Sequence, residues 1–584
     1  MKLKIMNNTQ SNSTSANLPK GDAQSLPAYQ IAQHTATMSQ IERRKYQMNK
    51  IFFKISALLI VAIAAISCNP KQQSVSDISP NKVVPSDKLL SYQQLEIIGF
   101  IHFSINTFTN KEWGFGDESP ELFNPGELDA EQWVTTAKAG GIKQLILTAK
   151  HHDGFCLWPS KYTEHSIKNS PYKNGNGDIV GEFADACRKH GLKVGLYLSP
   201  WDRNHKDYGN PAYVVYYKNQ IKELLTQYGE INEIWFDGAN GGDGYYGGAN
   251  EKREISSKTY YGWEDIFSLA QELQPNIKIF SDAGPDVHWI GNEKGIAGFT
   301  FWSTINPDSI TIGGADQNYL NTGDPEGKNW IVGQCDVSIR PGWFYHKAED
   351  NLVKTPQELT DIYYKSVGRN AVLLLNLPPD QRGLIHETDA QALKDFKEII
   401  DETFSVDLAK GKPISANNYR LNNKKFAPEN AVDNNTDTYW ATDDSLFPAE
   451  LTIHLPDEIE FDRILIQEPV KYGQRISRFK VDIMGETGWE TVFEGTTIGY
   501  KRLIRITPVS TTRVRLTIFQ ANNTAAISNF GLFKSSDREN KSLVDVEVAD
   551  SSQLAVISLQ PAEWDASPVG DGIPDYFSEA ARLK

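Results

Sequence analysis

Eight short β-prone runs alternate with amphipathic stretches between about Leu95 and Phe404, and this repeat limits the chain more than any other feature of its sequence. The runs are Ile97–Ser104, Gln144–His151, Lys193–Ser199, Glu233–Asp237, Lys278–Asp282, Gly298–Trp302, Ile331–Val337 and Ala371–Asn376. Between them the patterns Asp129–Ala139, Ile179–His190, Ala212–Tyr228, Trp263–Leu273 and Pro356–Val367 read as helices, several of them stopped by glycine. Strand-helix alternation specifies parallel strands with crossover helices. Eight such units predict an α/β fold, a (β/α)8-type barrel, with the sixth unit the least defined.

From about Ala409 to Phe533 the texture changes to short strands separated by turns: Leu451–Leu455, Arg463–Gln467, Phe479–Ile483, Thr491–Phe493, Tyr500–Ile506 and Val514–Phe519. These predict an all-β sandwich of jelly-roll type. The domain reading is therefore a barrel over 94–404, a sandwich over 405–535 and a polar tail over 536–584. That tail ends in an acidic Asp571–Asp575 stretch resembling part of one calcium-binding repeat.

Upstream, Met48-Asn49-Lys50 precedes an apolar run from Ile51 to Ile66, then Ser67-Cys68. A basic start, a short apolar stretch and a small residue before cysteine read as a secretory signal over 48–68. Its end, Ala65-Ile66-Ser67-Cys68, resembles a bacterial lipobox, which implies lipidation at Cys68 and a membrane partner. The implied location is the bacterial cell envelope, on the periplasmic side or the outer-membrane surface. A membrane-spanning helix is the weaker alternative, because about 20 apolar residues are needed to cross a bilayer. Residues 1–47 read as an extension outside the fold, and 69–93, rich in Ser, Pro and Lys around 73–88, as a tether. Cys156, Cys187 and Cys335 would then remain, an odd and scattered set that predicts no disulfide framework.

A formal net charge of −15 argues against a nucleic-acid partner, since phosphate recognition needs clustered Lys and Arg. A neutral, hydroxyl-rich ligand suits the 13 Trp and 24 Tyr, whose flat rings cover apolar C–H faces.

Barrels of this type place their chemistry at the C-terminal strand ends. There the chain carries His102 and Glu112-Trp113, His151-His152-Asp153, Trp201-Asp202, Trp235-Phe236-Asp237-Gly238, and Asp282 followed by Glu293. Asp237 ends an apolar strand before a glycine and is expected to attack an anomeric carbon. Glu293, among His288, Trp289 and Ile290, is expected to keep its proton through desolvation and to serve as acid and base. Asp282 and Asp286 are the next acids in line. No Cys-x-x-Cys or His-Glu-x-x-His pattern occurs, and no cofactor is expected for catalysis.

Five ordered segments carry a resemblance: His102-Phe103-Ser104 with Asn106-Thr107-Phe108, Glu112-Trp113-Gly114, Lys150–Phe155, Trp235–Gly238 and Gly342–Tyr345. They resemble the signature segments of α-L-fucosidases of glycoside hydrolase family 29. The resemblance implies retaining hydrolysis with Asp237 as nucleophile and fucosylated oligosaccharides as partners. His102, His151 and His152 match fucose-binding positions, and Trp235 and Trp343 match pocket-lining ones; Glu112, Trp113 and Trp201 join the substrate set. Gly291-Asn292-Glu293 is similar to the branch that prefers α-1,3/4 linkages and assigns the general acid. A catalytically inactive surface glycan-binding lipoprotein, or a fucosidase of broader linkage range, is the alternative.

Ala431–Thr442 resembles the turn and strand of discoidin-like, coagulation-factor type C domains. Asp433, Asn435 and Asp437 offer hard oxygens for one structural Ca²⁺. Asn529 stands where such domains commonly carry an acid. The oligomeric state is left open.

Overall fold

The computed structural model describes residue 42, residues 44–54 and residues 76–545. Residues up to Ser76 form one compact unit and those from Asp77 a second. In the first, residues 44–54 are helical and exposed. The expected lipidation site Cys68, most of the apolar run and the Asp571–Asp575 stretch lie outside the described residues. Among the described residues no helix is long and apolar enough to cross a membrane.

In the second unit eight parallel strands close on themselves: β1 (Ile97–Ile101), β2 (Gln144–Lys150), β3 (Lys193–Leu198), β4 (Glu233–Trp235), β5 (Lys278–Ser281), β6 (Val287–Trp289), β7 (Val332–Ser338) and β8 (Val372–Asn376). Closure is the β1–β8 pairing, with Ile97 opposite Leu373. The inward side chains, including Phe100, Ile146, Tyr197, Trp235, Phe280 and Leu374, fill the interior as one buried cluster. The barrel is therefore a packed core with a mouth, and not a pore.

Helix α1 (Asp87–Gln93) lies under this core, so the ordered body begins inside the stretch read as tether. Tyr92 donates to Glu233 Oε1 at 3.1 Å, and Gln144 and Gln334 donate to the same carboxyl at 2.5 and 3.2 Å. Burial nevertheless pushes Glu233 up to about 7.

The outer helices are α2 (Ala130–Ala139), α3 (Ile179–His190), α4 (Pro211–Gln227), α5 (Trp263–Leu273), α6 (Gln317–Thr322), α7 (Pro356–Lys365) and α8 (Glu387–Thr403). Local chemistry sets their ends. Asp178 caps α3 by accepting from Gly181 N at 2.9 Å, and Gly191, at φ +76°, lets the chain leave it in the left-handed region.

The sixth unit departs from expectation. Gly298–Trp302 is not a strand; the sixth barrel strand is Val287–Trp289, reached from β5 by a short turn without a helix. The β-prone residues of 299–303 are engaged by the second domain instead. Thr497 Oγ1 accepts from Phe301 N at 3.0 Å, Gln474 Nε2 donates to Phe301 O at 2.9 Å, and Gln474 Oε1 accepts from Ser303 N at 3.0 Å. Arg502 donates to Phe299 O at 2.7 Å, its guanidinium lying 4.3 Å from the Phe299 ring centre.

That second domain is antiparallel: β9 (Ile414–Ala416), β10 (Ala449–Gln467), β11 (Ile476–Met484), β12 (Trp489–Gly495), β13 (Arg502–Ala521) and β14 (Asn529–Phe533). Four of the six expected strands merge into two long ones. Leu451–Leu455 and Arg463–Gln467 are parts of β10, which passes through register shifts after His454 and Phe461, and β13 takes up most of Tyr500–Ile506 and all of Val514–Phe519. Buried Trp440, Leu451, Ile466, Phe479, Leu516 and Phe530 belong to its core. Cys156, Cys187 and Cys335 are free and buried.

Candidate active site

Asp237 stands just past β4, at the mouth of the barrel. Tyr197 of β3 donates to its Oδ2 at 3.0 Å and Ala239 N to its Oδ1 at 2.7 Å, so both oxygens are held by donors on different elements. Gly238 is required sterically: a Cβ there would come within 1.8 Å of Asp282 Oδ2. Asp282 thus lies directly beside the Asp237 turn. It also accepts from Gly313 N at 3.0 Å, and burial together with the Asp237 charge pushes it up to about 7.

Three imidazoles form the adjoining wall. His102 and His151 ring centres are 5.8 Å apart, and those of His151 and His152 4.1 Å. Burial drives all three down: His102 to about 3, His152 to about 4, and His151 well below the ordinary value, each with another histidine or a nearby cation adding to the effect. All are neutral at physiological pH, and the tautomers of His102 and His152 follow from the hydrogen bonds. Asn376 donates through Nδ2 to Ser338 Oγ and to Trp343 O, so its Oδ1 must accept the His102 Nδ1–H at 2.9 Å. Ser199 donates to Trp201 O, so its Oγ accepts the His152 Nδ1–H at 2.7 Å. Nε2 of both rings is left as an acceptor, which suits the O–H groups of a sugar. His151 Nδ1 faces the Asn106 amide nitrogen at 3.5 Å, which also donates to Asp153 Oδ2 at 3.1 Å and Glu112 O at 3.3 Å.

Glu293 is at the rim on the loop after β6, where Trp343 Nε1 donates to its Oε2 at 3.2 Å. The residue as a whole is exposed, with its carboxyl held against the Trp343 indole. Burial raises it above the ordinary carboxylate range; the Trp343 N–H opposes this, and the charges of Asp237 and Glu112 add to it. Asp237 and Glu293 therefore act on each other across one mouth. Glu112 is committed to the neighbouring loop, accepting from Trp343 N at 2.9 Å, Phe344 N at 3.2 Å and His346 Nε2 at 2.6 Å. Its part is to hold Trp343 in place.

Trp113 is 50% exposed, a platform set edge-on to Trp201 and His152 at 5.7 and 5.3 Å. Trp201 is buried, and its Nε1 donates to Tyr246 OH at 3.0 Å, which ties the 242–253 hairpin to the same wall. Trp235 lies deeper than a pocket wall: it stacks on Phe280 at 4.0 Å and on Tyr197 at 5.1 Å, and donates to Gln334 at 2.8 Å. It is the floor beneath Asp237.

Asp286 is not brought to the mouth. It precedes β6, forms an ion pair with Lys88 at 2.7 Å and accepts from Ile279 N at 3.0 Å, next to α1 under the barrel. Sequence reasoning missed Tyr197, Ser199, Asn376 and Asp336. Only Asp336 carried a visible signal, as an acid inside the apolar run of β7.

In the sandwich, Asp433 Oδ1 accepts from Asn435 N at 2.8 Å and its Oδ2 from Thr438 Oγ1 at 2.6 Å, while Asn435 Oδ1 accepts from Asp437 N at 3.1 Å. These oxygens close their own turn. Among the described residues no group of three or more His, Cys, Asp or Glu is placed to hold a metal ion. A cavity of about 380 Å³ lined by Tyr363, Phe404, Leu465, Lys501 and Leu503 lies at the barrel–sandwich seam, away from the mouth.

The sequence model of the α-L-fucosidase family matches residues 86–401. The chain belongs to the α-L-fucosidases of glycoside hydrolase family 29. The fucosidase barrel is followed by an F5/8 type C domain, matched over residues 413–531. Alpha-L-fucosidase 1 of Arabidopsis thaliana is 42% identical over 492 residues, which span 83% of this chain and 94% of that one. A crystal structure of a glycoside hydrolase 29 family member from an unknown rumen bacterium superposes with a TM-score of 0.71 at 42% identity, covering 78% of each chain. A Ruminococcus gnavus GH29 fucosidase in complex with fucose gives a TM-score of 0.71 at 34% identity, over 80% of this chain and 98% of that one. The chain is thus a glycoside hydrolase of the α-L-fucosidase type.

Proposed function

We propose that the enzyme releases terminal α-1,3/4-linked L-fucose from branched glycans by double displacement. Asp237 attacks the anomeric carbon and forms a glycosyl ester as the glycosidic bond breaks, and Glu293 gives its proton to the departing oxygen. Water then attacks the same carbon, Glu293 takes the water proton, and Asp237 is released. The observation that carries this reading is the pairing at one mouth of Asp237, held by Tyr197 and Ala239 N, with Glu293, raised by burial and tied to Trp343. Neutral His102 and His152, as acceptors, and exposed Trp113, as a stacking face, supply recognition of a fucosyl group and its aglycone.

The test is a product profile across α-1,2, α-1,3, α-1,4 and α-1,6 fucosides, with the anomer of freshly released fucose followed by NMR. Release from α-1,3 and α-1,4 substrates as the α-anomer supports the reading. The β-anomer overturns retention, and equal rates on all four overturn the linkage preference.

Two further parts of the proposal rest on sequence. Lipid at Cys68 would place the enzyme on the cell envelope; intact mass and membrane fractionation of wild type and Cys68→Ala test this. Calcium at the Asp433–Asp437 turn would raise the melting temperature of the full chain, and an identical melting curve with calcium and with chelator counts against it.

A further inference from the structure

One side of the mouth is a wall built from three loops, and Arg203, on the loop after β3, is where they meet. Its guanidinium donates from Nη1 to Gly114 O at 2.7 Å, on the loop after β1, and from Nε to Asp243 O at 2.6 Å, in the 242–253 hairpin. The same group lies 5.1 Å from the Trp201 ring centre and 5.3 Å from that of Phe115. Backbone bonds run beside it: Arg203 N donates to His152 O and Tyr246 N to Arg203 O, both at 2.8 Å, and Tyr245 N to Phe115 O at 3.0 Å. Asn204 Nδ2 donates to Gly116 O at 2.7 Å, and Glu118 accepts from Phe115 N and Gly116 N at 2.7 and 2.8 Å. Residues 114–116 are thus held on both edges. The residue immediately before them is Trp113, the half-exposed ring at the mouth.

We propose that Arg203 is a positioning residue that sets specificity for branched glycans: its side chain pre-forms the wall carrying Trp113, so that the sugars beyond the fucosyl group meet a finished surface. The inference rests on the reading of Trp113 as the aglycone face made above. Trp113 meets Trp201 and His152 edge-on, so its placement depends on the backbone that follows it. Arg203 fixes that backbone by reach. One planar group takes carbonyls on two different loops at once, and a lysine ammonium on its flexible stem has the charge without this fork. Ordering a wall at the moment of binding costs affinity, and a wall ordered beforehand avoids that cost. The saving is the same for bound substrate and transition state, so it shows in KM and not in kcat. The fucose pocket is spared, because the bond to His152 O is made by the Arg203 backbone and survives replacement of the side chain. Glu112, on the other flank of Trp113, is anchored separately by Trp343 N, Phe344 N and His346.

The test compares kcat and KM on a branched trisaccharide carrying α-1,4-linked fucose and on fucosyl fluoride, which has no sugar to seat on the wall. Arg203→Met and Arg203→Lys should each raise KM for the trisaccharide by about tenfold, the worth of one charged hydrogen bond. Trisaccharide kcat, and both constants on fucosyl fluoride, should stay within about threefold of wild type. Equal losses on both substrates, or a fall in kcat with KM unmoved, overturn the proposal. Burial lowers His151 and His152, and the Arg203 charge adds to this. If charge were its role, Arg203→Lys would behave as wild type and Arg203→Met would shift the acidic limb on both substrates; that outcome overturns the proposal as well. If neither variant folds, Tyr246→Phe decides. It removes the hydroxyl that joins Trp201 Nε1 to Gly242 O at 3.0 and 2.8 Å, and it should raise the trisaccharide KM alone; an unchanged KM overturns the proposal. Trp113→Ala is the control: an unmoved trisaccharide KM there removes the reading of Trp113, an outcome separate from any change at Arg203.

Discussion

Trp343 Nε1 donates to Glu293 Oε2 over 3.2 Å, and this bond joins the loop after β7 to the loop after β6. Glu112 in turn holds the Trp343 and Phe344 amides, so the loops after β1, β6 and β7 form one clamp around the acid. The acid is thereby placed by three segments remote from it in sequence. Its position depends on an aromatic N–H as well as on its own loop.

The Trp343 N–H favours the ionised form of Glu293, and taking it away should let the proton bind more tightly. Trp343→Phe keeps the ring and removes the donor. The basic limb of kcat/KM on a branched fucosyl glycan should move to higher pH, with kcat lowered because the carboxyl is less well aimed. A limb displaced to lower pH would contradict this reading of the clamp.

General acid catalysis contributes roughly 10²–10⁴-fold, and mostly where the leaving group is poor. Glu293→Gln should therefore lose about that much on a natural glycan and much less on an activated aryl fucoside. Parallel losses on both substrates would point to another acid, with Asp282 the first to examine.

Glu233 offers a pH effect far from the chemistry. Its folded-state value of about 7 lies above that of an unfolded glutamate, so the folded form holds its proton longer. The stability this contributes is fully present below the unfolded value and is lost as pH rises through about 7. The wild-type melting temperature should decline between pH 5 and 8 by more than that of Glu233→Gln. The difference corresponds to at most roughly 2–3 kcal/mol. Parallel curves would show that Glu233 is ionised throughout this range.

Gln474 bonds Phe301 O, Ser303 N and Asn370 from the sandwich side, all in buried positions. Gln474→Leu strands Phe301 O and Ser303 N, each at a cost of about 1–3 kcal/mol. Calorimetry should show one transition for both domains in the wild type and a clearly lowered melting temperature in the variant. An unchanged melting temperature would mean that the 299–303 segment is held by other contacts.

Seven of the eight barrel strands were legible because each is a short β-prone run that ends in a polar residue or turn. Val287–Trp289 was not: it is three residues long and has no crossover helix before it. Gly298–Trp302 had β-prone composition, but composition does not say which neighbour a segment will pair with, and here that neighbour is the other domain. The amphipathic α8, which buries Leu393, Phe396 and Ile399, was readable from its periodicity and was not anticipated. In the site, Asp237 and the histidines stood out because they interrupt apolar runs at strand ends, and Glu293 through the Gly291-Asn292-Glu293 segment of the family resemblance. Tyr197, Ser199 and Asn376 did not, since they act through contacts across strands. Glu112 and Trp235 were visible as residues, but their parts as loop anchor and floor needed coordinates.

The central claim is that Asp237 makes the covalent bond. Incubation with an activated 2-deoxy-2-fluoro-fucoside, followed by intact mass and peptide mapping, reads this directly. One fluorofucosyl adduct on the peptide containing Asp237, absent from Asp237→Asn, is the result expected. An adduct on Glu293, Asp282 or Asp336, or turnover with no adduct and inverted product, would contradict the account.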